Sequence, residues 1–140
     1  MGKIVSLVSS IFIPVTDVAR SEEWYVRMFE LETIEKTDYR VGLAFPNAQT
    51  LMLLWKVDKP QPVQFDTGKH AMPYFNFTSY DINHSYRELK AKGAELSEIF
   101  VEEGHSFFKA FDPDGNPVDI VEETGNTPYF IHKDNLRKQQ

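Results

Sequence analysis

The sequence predicts an α+β fold: two βαβββ repeats forming a curved, mixed eight-stranded sheet with the helices on its convex face. Two observations carry this. The order strand–helix–strand–strand–strand occurs twice along the chain. The helix-opening aspartates Asp17 and Asp81, and the phenylalanines Phe45 and Phe111 ahead of the last turns, recur at offsets that agree within two residues, as an internal duplication requires. One helix on four strands cannot close a two-sided core, so two copies side by side give a layered domain with an open concave trough. Such a trough takes a small ligand.

In the first half, Ile11 to Val15 is rich in strand formers and ends at Asp17. Asp17 caps a helix over Ser21 to Phe29, where Trp24 and Met28, and Tyr25 and Phe29, repeat at a spacing of four. Strands follow at Thr33 to Lys36, Arg40 to Phe45 and Leu51 to Val57, with Pro46-Asn47 turning between the last two. Residues 58–73 carry Pro60, Pro62, Pro73 and Gly68, and read as a linker with little regular structure.

The second half restarts with a strand at Tyr74 to Thr78, where Phe75 and Phe77 share a face. Asp81 caps a helix carrying Ile82, Tyr86 and Leu89; Lys90 and Lys92 close its last turn and Gly93 stops it. Strands then fall at Glu98 to Val101, Phe107 to Phe111 and Val118 to Val121. Asp112-Pro113-Asp114-Gly115-Asn116 turns between the last two: Pro113 presets φ and Gly115 supplies a positive φ.

Composition narrows the function classes. The 140 residues are 41% hydrophobic and 26% charged, which suits a folded domain and not a disordered one. The chain has no cysteine, so disulfides, thiolate metal sites and cysteine nucleophiles are excluded. A formal net charge of −6 disfavours nucleic acid and anionic membranes as partners. Lys133, Arg137 and Lys138 make a basic end too short to reverse this, and it reads as a solvated tail. No apolar run reaches the ~18 residues of a membrane span. Ser6, Ser9 and Ser10 interrupt the run after Lys3, and no Ala-x-Ala site follows, which argues against a signal peptide. Met1-Gly2 with Ser6 matches a minimal myristoylation pattern too short to carry an assignment. A cytoplasmic location is the resulting expectation.

Ile13-Pro14-Val15-Thr16-Asp17 ahead of a Trp24-Tyr25 helix, together with Phe111-Asp112-Pro113-Asp114-Gly115-Asn116-Pro117, resembles the vicinal oxygen chelate superfamily. That superfamily includes glyoxalases, bleomycin-resistance proteins and extradiol dioxygenases, and the resemblance covers about residues 8–123. It implies one domain over 1–124, with repeat one at about 8–57, the linker at 58–73, repeat two at about 74–123 and a tail at 125–140. It also implies a homodimer. The family's enzymes hold a divalent metal on His and Glu residues of the trough strands. At the matching positions this chain has Ser10, Met52, Tyr74 and Asp119, of which Asp119 is the one strong ligand. Such a set replaces little of a divalent ion's hydration, so no metal and no cofactor are expected.

Strand alternation extends each of these positions along its face. Ser10 carries Phe12 with it, Met52 carries Leu54, Tyr74 carries Asn76, and Asp119 carries Val121. The expected ligand-binding set is therefore Ser10, Phe12, Met52, Leu54, Tyr74, Asn76, Asp119 and Val121, an apolar lining with a few polar handles. Trp24, Tyr25, Phe75 and Phe77 are assigned to helix–sheet packing. Asp119 meets ligand, sits on a solvated strand or pairs with a neighbouring base.

No nucleophile elbow or phosphate-cradling glycine motif is present. Glu102-Glu103 and Glu122-Glu123 are adjacent pairs that project to opposite sides of a strand, and read as solvated charge. The four histidines show no ligand spacing. His84 and His132 read as surface residues, and His70 and His105 as loop residues. The expected function is a small-molecule binder of the bleomycin-resistance type, with Asp119 favouring a cationic group. The alternative is a glyoxalase- or dioxygenase-type enzyme whose divalent metal sits on Asp119 with His70 or His105. A third reading, metal-free catalysis with Tyr74 or Asp119 as acid or base, has no further support.

Overall fold

A computed structural model describes residues 4–46 and 49–139. Met1, Gly2, Lys3 and Asn47, which carry the N-terminal signals and half of the first turn, lie outside the described residues. The chain divides into two units. The first holds the described residues up to Val63 together with Asp112–Gly115; the second holds Gln64–Phe111 and the residues from Asn116 onward.

In the first unit, β1 (Ser10–Val15), β2 (Glu32–Lys36), β3 (Arg40–Ala44) and β4 (Leu51–Lys56) pair in the order β1-β4-β3-β2, with β1 and β4 parallel. Helix α1 (Val18–Phe29) begins three residues earlier than its periodicity predicts, because Asp17 accepts from the Arg20 backbone N–H at 3.0 Å and fixes the first turn. Its Ser21, Tyr25 and Met28 are buried. They lie over Ile13, Val15, Val41, Leu43, Met52 and Leu54, all essentially inaccessible. Each such side chain contributes roughly 1.5–3 kcal/mol by leaving water.

The Asp112–Gly115 turn belongs to this unit through its side-chain bonds. Tyr25 Oη donates to Asp112 Oδ2 at 2.8 Å in a buried setting. Asp114 accepts from the Thr16 backbone N–H at 2.9 Å, from the Thr16 hydroxyl, and from Arg20 Nη2 at 3.0 Å. The turn closes as its residues predict, with Gly115 N–H on the Asp112 carbonyl at 2.8 Å and Gly115 at φ +81°.

The second unit pairs β7 (Asn76–Thr78), β11 (Pro117–Glu123), β10 (His105–Phe111) and β8 (Glu95–Leu96) in that order, with β9 (Phe100–Glu102) also on β10. Helix α2 (Ile82–Ala91) is capped by Asp81, whose carboxylate accepts from His84 N–H at 3.1 Å, and ends at Gly93 with φ +88°. Beneath it Phe77, Phe108, Ala110, Val118 and Ile120 are buried, and Tyr86 meets Phe108 edge to face at 5.0 Å.

Four expectations are corrected here. Among the described residues strand pairing runs in sheets of four, five and two strands, not through one continuous sheet of eight. The strand expected at Glu98 to Val101 is found as β9, shifted to Phe100–Glu102, and the separate short β8 precedes it, ending before Ser97, whose hydroxyl accepts the Lys109 N–H at 2.8 Å. The linker after Val63 forms a hairpin, β5 (Gln64–Asp66) with β6 (Ala71–Pro73), turning on Gly68 at φ +93°. The tail holds α3 (Pro128–Lys138), because Thr127 accepts from Phe130 N–H at 3.0 Å and Pro128 occupies the first turn.

Candidate functional site: the open sheet faces

Each unit has one sheet face under its helix and one face turned away from it. In the first unit Ser10 stands opposite Leu51, Phe12 opposite Leu53 and Pro14 opposite Trp55, while Arg40 stands opposite Trp55 on the other side. Phe12 is 63% exposed. Tyr39 and Trp55 meet edge to face at 5.6 Å, and the Arg40 guanidinium lies 5.4 Å and 5.8 Å from their ring centres. Arg40 is also forked onto Glu35, at 2.8 Å and 2.9 Å, so its charge is matched on the spot.

Met52 and Leu54 are not on this face. They are fully buried beneath α1, and Leu51, Leu53 and Trp55 take the places expected for them. The cause is register: β1 pairs with β4 at Ser10 and Leu51, and a one-residue slip exchanges the two faces of a strand.

In the second unit the open face is built in cross-strand rows. Asn76, Asp119 and Lys109 form one row, and Thr78, Val121, Phe107 and Phe100 form the next. Asn76, Asp119 and Val121 thus share the face that alternation predicts. Asp119 is 6% exposed, and Lys109 Nζ donates to its Oδ1 at 2.7 Å. The stated alternative for this acid, pairing with a neighbouring base, is the arrangement found. Phe100 and Phe107 stack at 5.2 Å, and the rings of His105 and Phe107 stack at 5.7 Å.

Tyr74 falls outside this group. It lies between β6 and β7, is 68% exposed and has its ring 5.3 Å from that of Phe65. Pro73 ends β6 directly before it, so Tyr74 has no strand to alternate on.

His105 is on β10, not ahead of it, with Nε2 at 3.5 Å from Glu102. His70 is exposed in the β5–β6 turn, where its carbonyl accepts from Thr67 N–H. Among the described residues no three His, Asp or Glu side chains are grouped to hold a metal ion. The donor set at the positions expected for a metal is a serine, buried or apolar β4 side chains, a phenol off the strand, and a carboxylate already bound by an ammonium. That chemistry does not fit a catalytic divalent ion, which needs three protein ligands and an open position. No described helix is long and apolar enough to cross a membrane.

The model of the glyoxalase/bleomycin resistance protein/dioxygenase superfamily matches residues 7–120. The chain belongs to that superfamily. Several solved structures align with this chain over nearly their whole length. TnmS3, an antibiotic-binding protein from Streptomyces sp. CB03234, is 18% identical with a TM-score of 0.69, covering 87% of this chain and 99% of its own. A superfamily member from Sphaerobacter thermophilus DSM 20745 is 23% identical with a TM-score of 0.69, covering 86% and 100%. Lactoylglutathione lyase from Agrobacterium tumefaciens is 18% identical with a TM-score of 0.65, covering 84% and 94%. No curated protein matches the chain in sequence.

Sequence reasoning passed over Lys109, Phe107, Phe100, Arg40 and Trp55. Lys109 had a signal: counting outward from the Phe111–Pro117 closure of the hairpin places it opposite Asp119. The same count places Phe107 opposite Val121, whereas Phe100 depends on the β9–β10 register, and Arg40 and Trp55 on the β3–β4 register.

Proposed function

We propose that this superfamily member is a metal-independent binding protein for a planar, uncharged aromatic compound, held by ring stacking on the open sheet faces. One observation carries this. The charges on both faces neutralise each other in place, Arg40 with Glu35 and Lys109 with Asp119, so rings are the groups left to recognise a ligand. The expected preference for a cation therefore shifts to a neutral ring system, since Asp119 already has its ammonium. Phe100, Phe107 and His105 in one unit, and Trp55 with Tyr39 in the other, supply stacking surface worth about 1 kcal/mol per ring pair. On the first unit's face Ser10 orients polar substituents and Phe12 supplies apolar contact; on the second unit's face Asn76 and Thr78 do the former and Val121 the latter. That TnmS3 binds an antibiotic on the same fold is in keeping with this use.

The homodimer expected from the resemblance is part of the proposal, and light scattering should return twice the chain mass. Calorimetry with acridine and 10-methylacridinium at pH 8 tests the ligand class. Acridine should bind saturably and at least tenfold more tightly than its cationic counterpart. Trp55→Ala should weaken binding to the first unit's face, and Phe107→Ala binding to the second unit's face, each by about tenfold, the equivalent of 1.4 kcal/mol. Equal binding of the two compounds, or binding indifferent to both substitutions, would refute the reading.

A further inference from the structure

A groove of about 450 Å³ lies within the second unit, beside α3. Its lining includes Thr78 and Tyr80, from β7 and the segment after it, and Phe130, Lys133 and Asp134 from α3. Thr78 is also the end of the cross-strand row Thr78, Val121, Phe107 and Phe100 on the open face. The groove and that face therefore meet at one residue and form a continuous surface. Two strand spacings, about 10 Å, separate Thr78 from Phe107. That is the span of a two-ring system carrying one substituent, and the groove's volume suits a small organic group.

The charges around the groove are matched in place. Glu122 Oε1 accepts the Ile82 backbone N–H at 2.7 Å, at the start of α2. Asp134 is held by Arg137 and by Lys138, the latter at 3.0 Å. Lys133 Nζ donates to Glu123 Oε1 at 2.9 Å. The acids Glu122, Glu123 and Asp134 thus face as many bases, Lys133, Arg137 and Lys138, and an ionic ligand group would leave one charge over. The Lys133 and Arg137 side chains are largely exposed and carry further N–H donors. A hydroxyl meets such a lining best, because it donates and accepts at once and adds no charge. Tyr80 is 89% exposed, and its ring and that of Phe130 offer apolar surface to the C–H face of a saturated ring.

We propose that the second unit's open face and this groove are one binding site for a neutral glycoside of a planar aromatic compound. The aromatic part stacks on Phe107 and Phe100, and the sugar passes Thr78 into the groove. There it lies against Tyr80 and Phe130, and Lys133 and Arg137 donate to its hydroxyl oxygens. The inference rests on the stacking reading of the open face and adds the substituent that the ligand carries.

4-Methylumbelliferyl glucoside, the matching glucuronide and 7-methoxy-4-methylcoumarin share one ring system and carry a neutral sugar, an anionic sugar and a methyl group. Titrated calorimetrically into the full chain at pH 7, the glucoside should bind saturably and at least tenfold more tightly than either of the others. Tyr80→Ala, at an exposed position, should remove that gain and bring the glucoside within about twofold of the coumarin. Amide shift mapping on the unsubstituted chain gives an independent readout: changes caused by the glucoside and not by the coumarin should fall at Ser79, Tyr80 and Lys133. Coumarin or glucuronide binding as tightly as the glucoside, a gain that survives Tyr80→Ala, or glucoside-specific changes away from the groove would each overturn the proposal while leaving the stacking reading in place. Absence of saturable binding by all three would overturn both.

Discussion

Lys109 Nζ lies 2.7 Å from Asp119 Oδ1 across the β10–β11 ladder, and this contact turns an apparent cation-binding acid into a neutral pair. The carboxylate is almost inaccessible while its partner is about a quarter exposed, so the ammonium both neutralises and shields it.

Removing the ammonium should therefore change stability and selectivity together. Lys109→Met leaves Asp119 buried and unmatched, at a cost of about 1–3 kcal/mol in urea unfolding. The same variant should bind 10-methylacridinium more tightly than the unsubstituted protein does, since the face then carries a net negative charge.

The Tyr25–Asp112 bond governs a different property. Burial first, and the Asp112 carboxylate second, push the Tyr25 phenol well above its ordinary value of 10.0. The folded state keeps this proton where the unfolded chain loses it, so stability is fully present below about pH 10 and falls as pH rises beyond it. Tyr25→Phe should cost about 1–2 kcal/mol at neutral pH. It should also flatten the alkaline decline, which urea midpoints between pH 8 and 11 measure.

Gly104 ties the β9–β10 turn to the start of α3. It sits at φ +87°, and a Cβ there would lie 2.3 Å from Thr127 Cγ2. Gly104→Ala should destabilise by at least about 1 kcal/mol through backbone strain alone. The clash with the Thr127 cap should further raise amide exchange within Pro128–Lys138, whereas Gly115→Ala, which meets nothing within 4 Å, should leave that helix protected.

How much of this was legible in the sequence follows from the range of the interactions. Asp17, Asp81 and Gly93 mark helix ends by local capping and left-handed geometry, so α1 and α2 emerge from the sequence with small boundary errors. The Asp112–Asn116 turn fixes the β10–β11 register locally, and with it the faces of Asp119 and Val121. Met52 and Leu54 were misplaced because β1 and β4 are parallel and joined through a long connection, so nothing local sets their relative phase. The break between β8 and β9 starts at Ser97, whose hydroxyl bonds across the sheet, and no periodicity reveals that. Glu122 and Glu123 read as solvated because their partners, the Ile82 N–H and Lys133, are distant in sequence.

The central claim is stacking of a neutral ring system without a metal, and Trp55 is placed to report it. Tryptophan fluorescence, followed while acridine is titrated in at pH 8 with and without EDTA, measures it directly. The account predicts saturable quenching that EDTA leaves unchanged and that Trp55→Ala abolishes while Trp24 remains. Quenching that requires an added divalent ion, or that survives intact in Trp55→Ala, would contradict it.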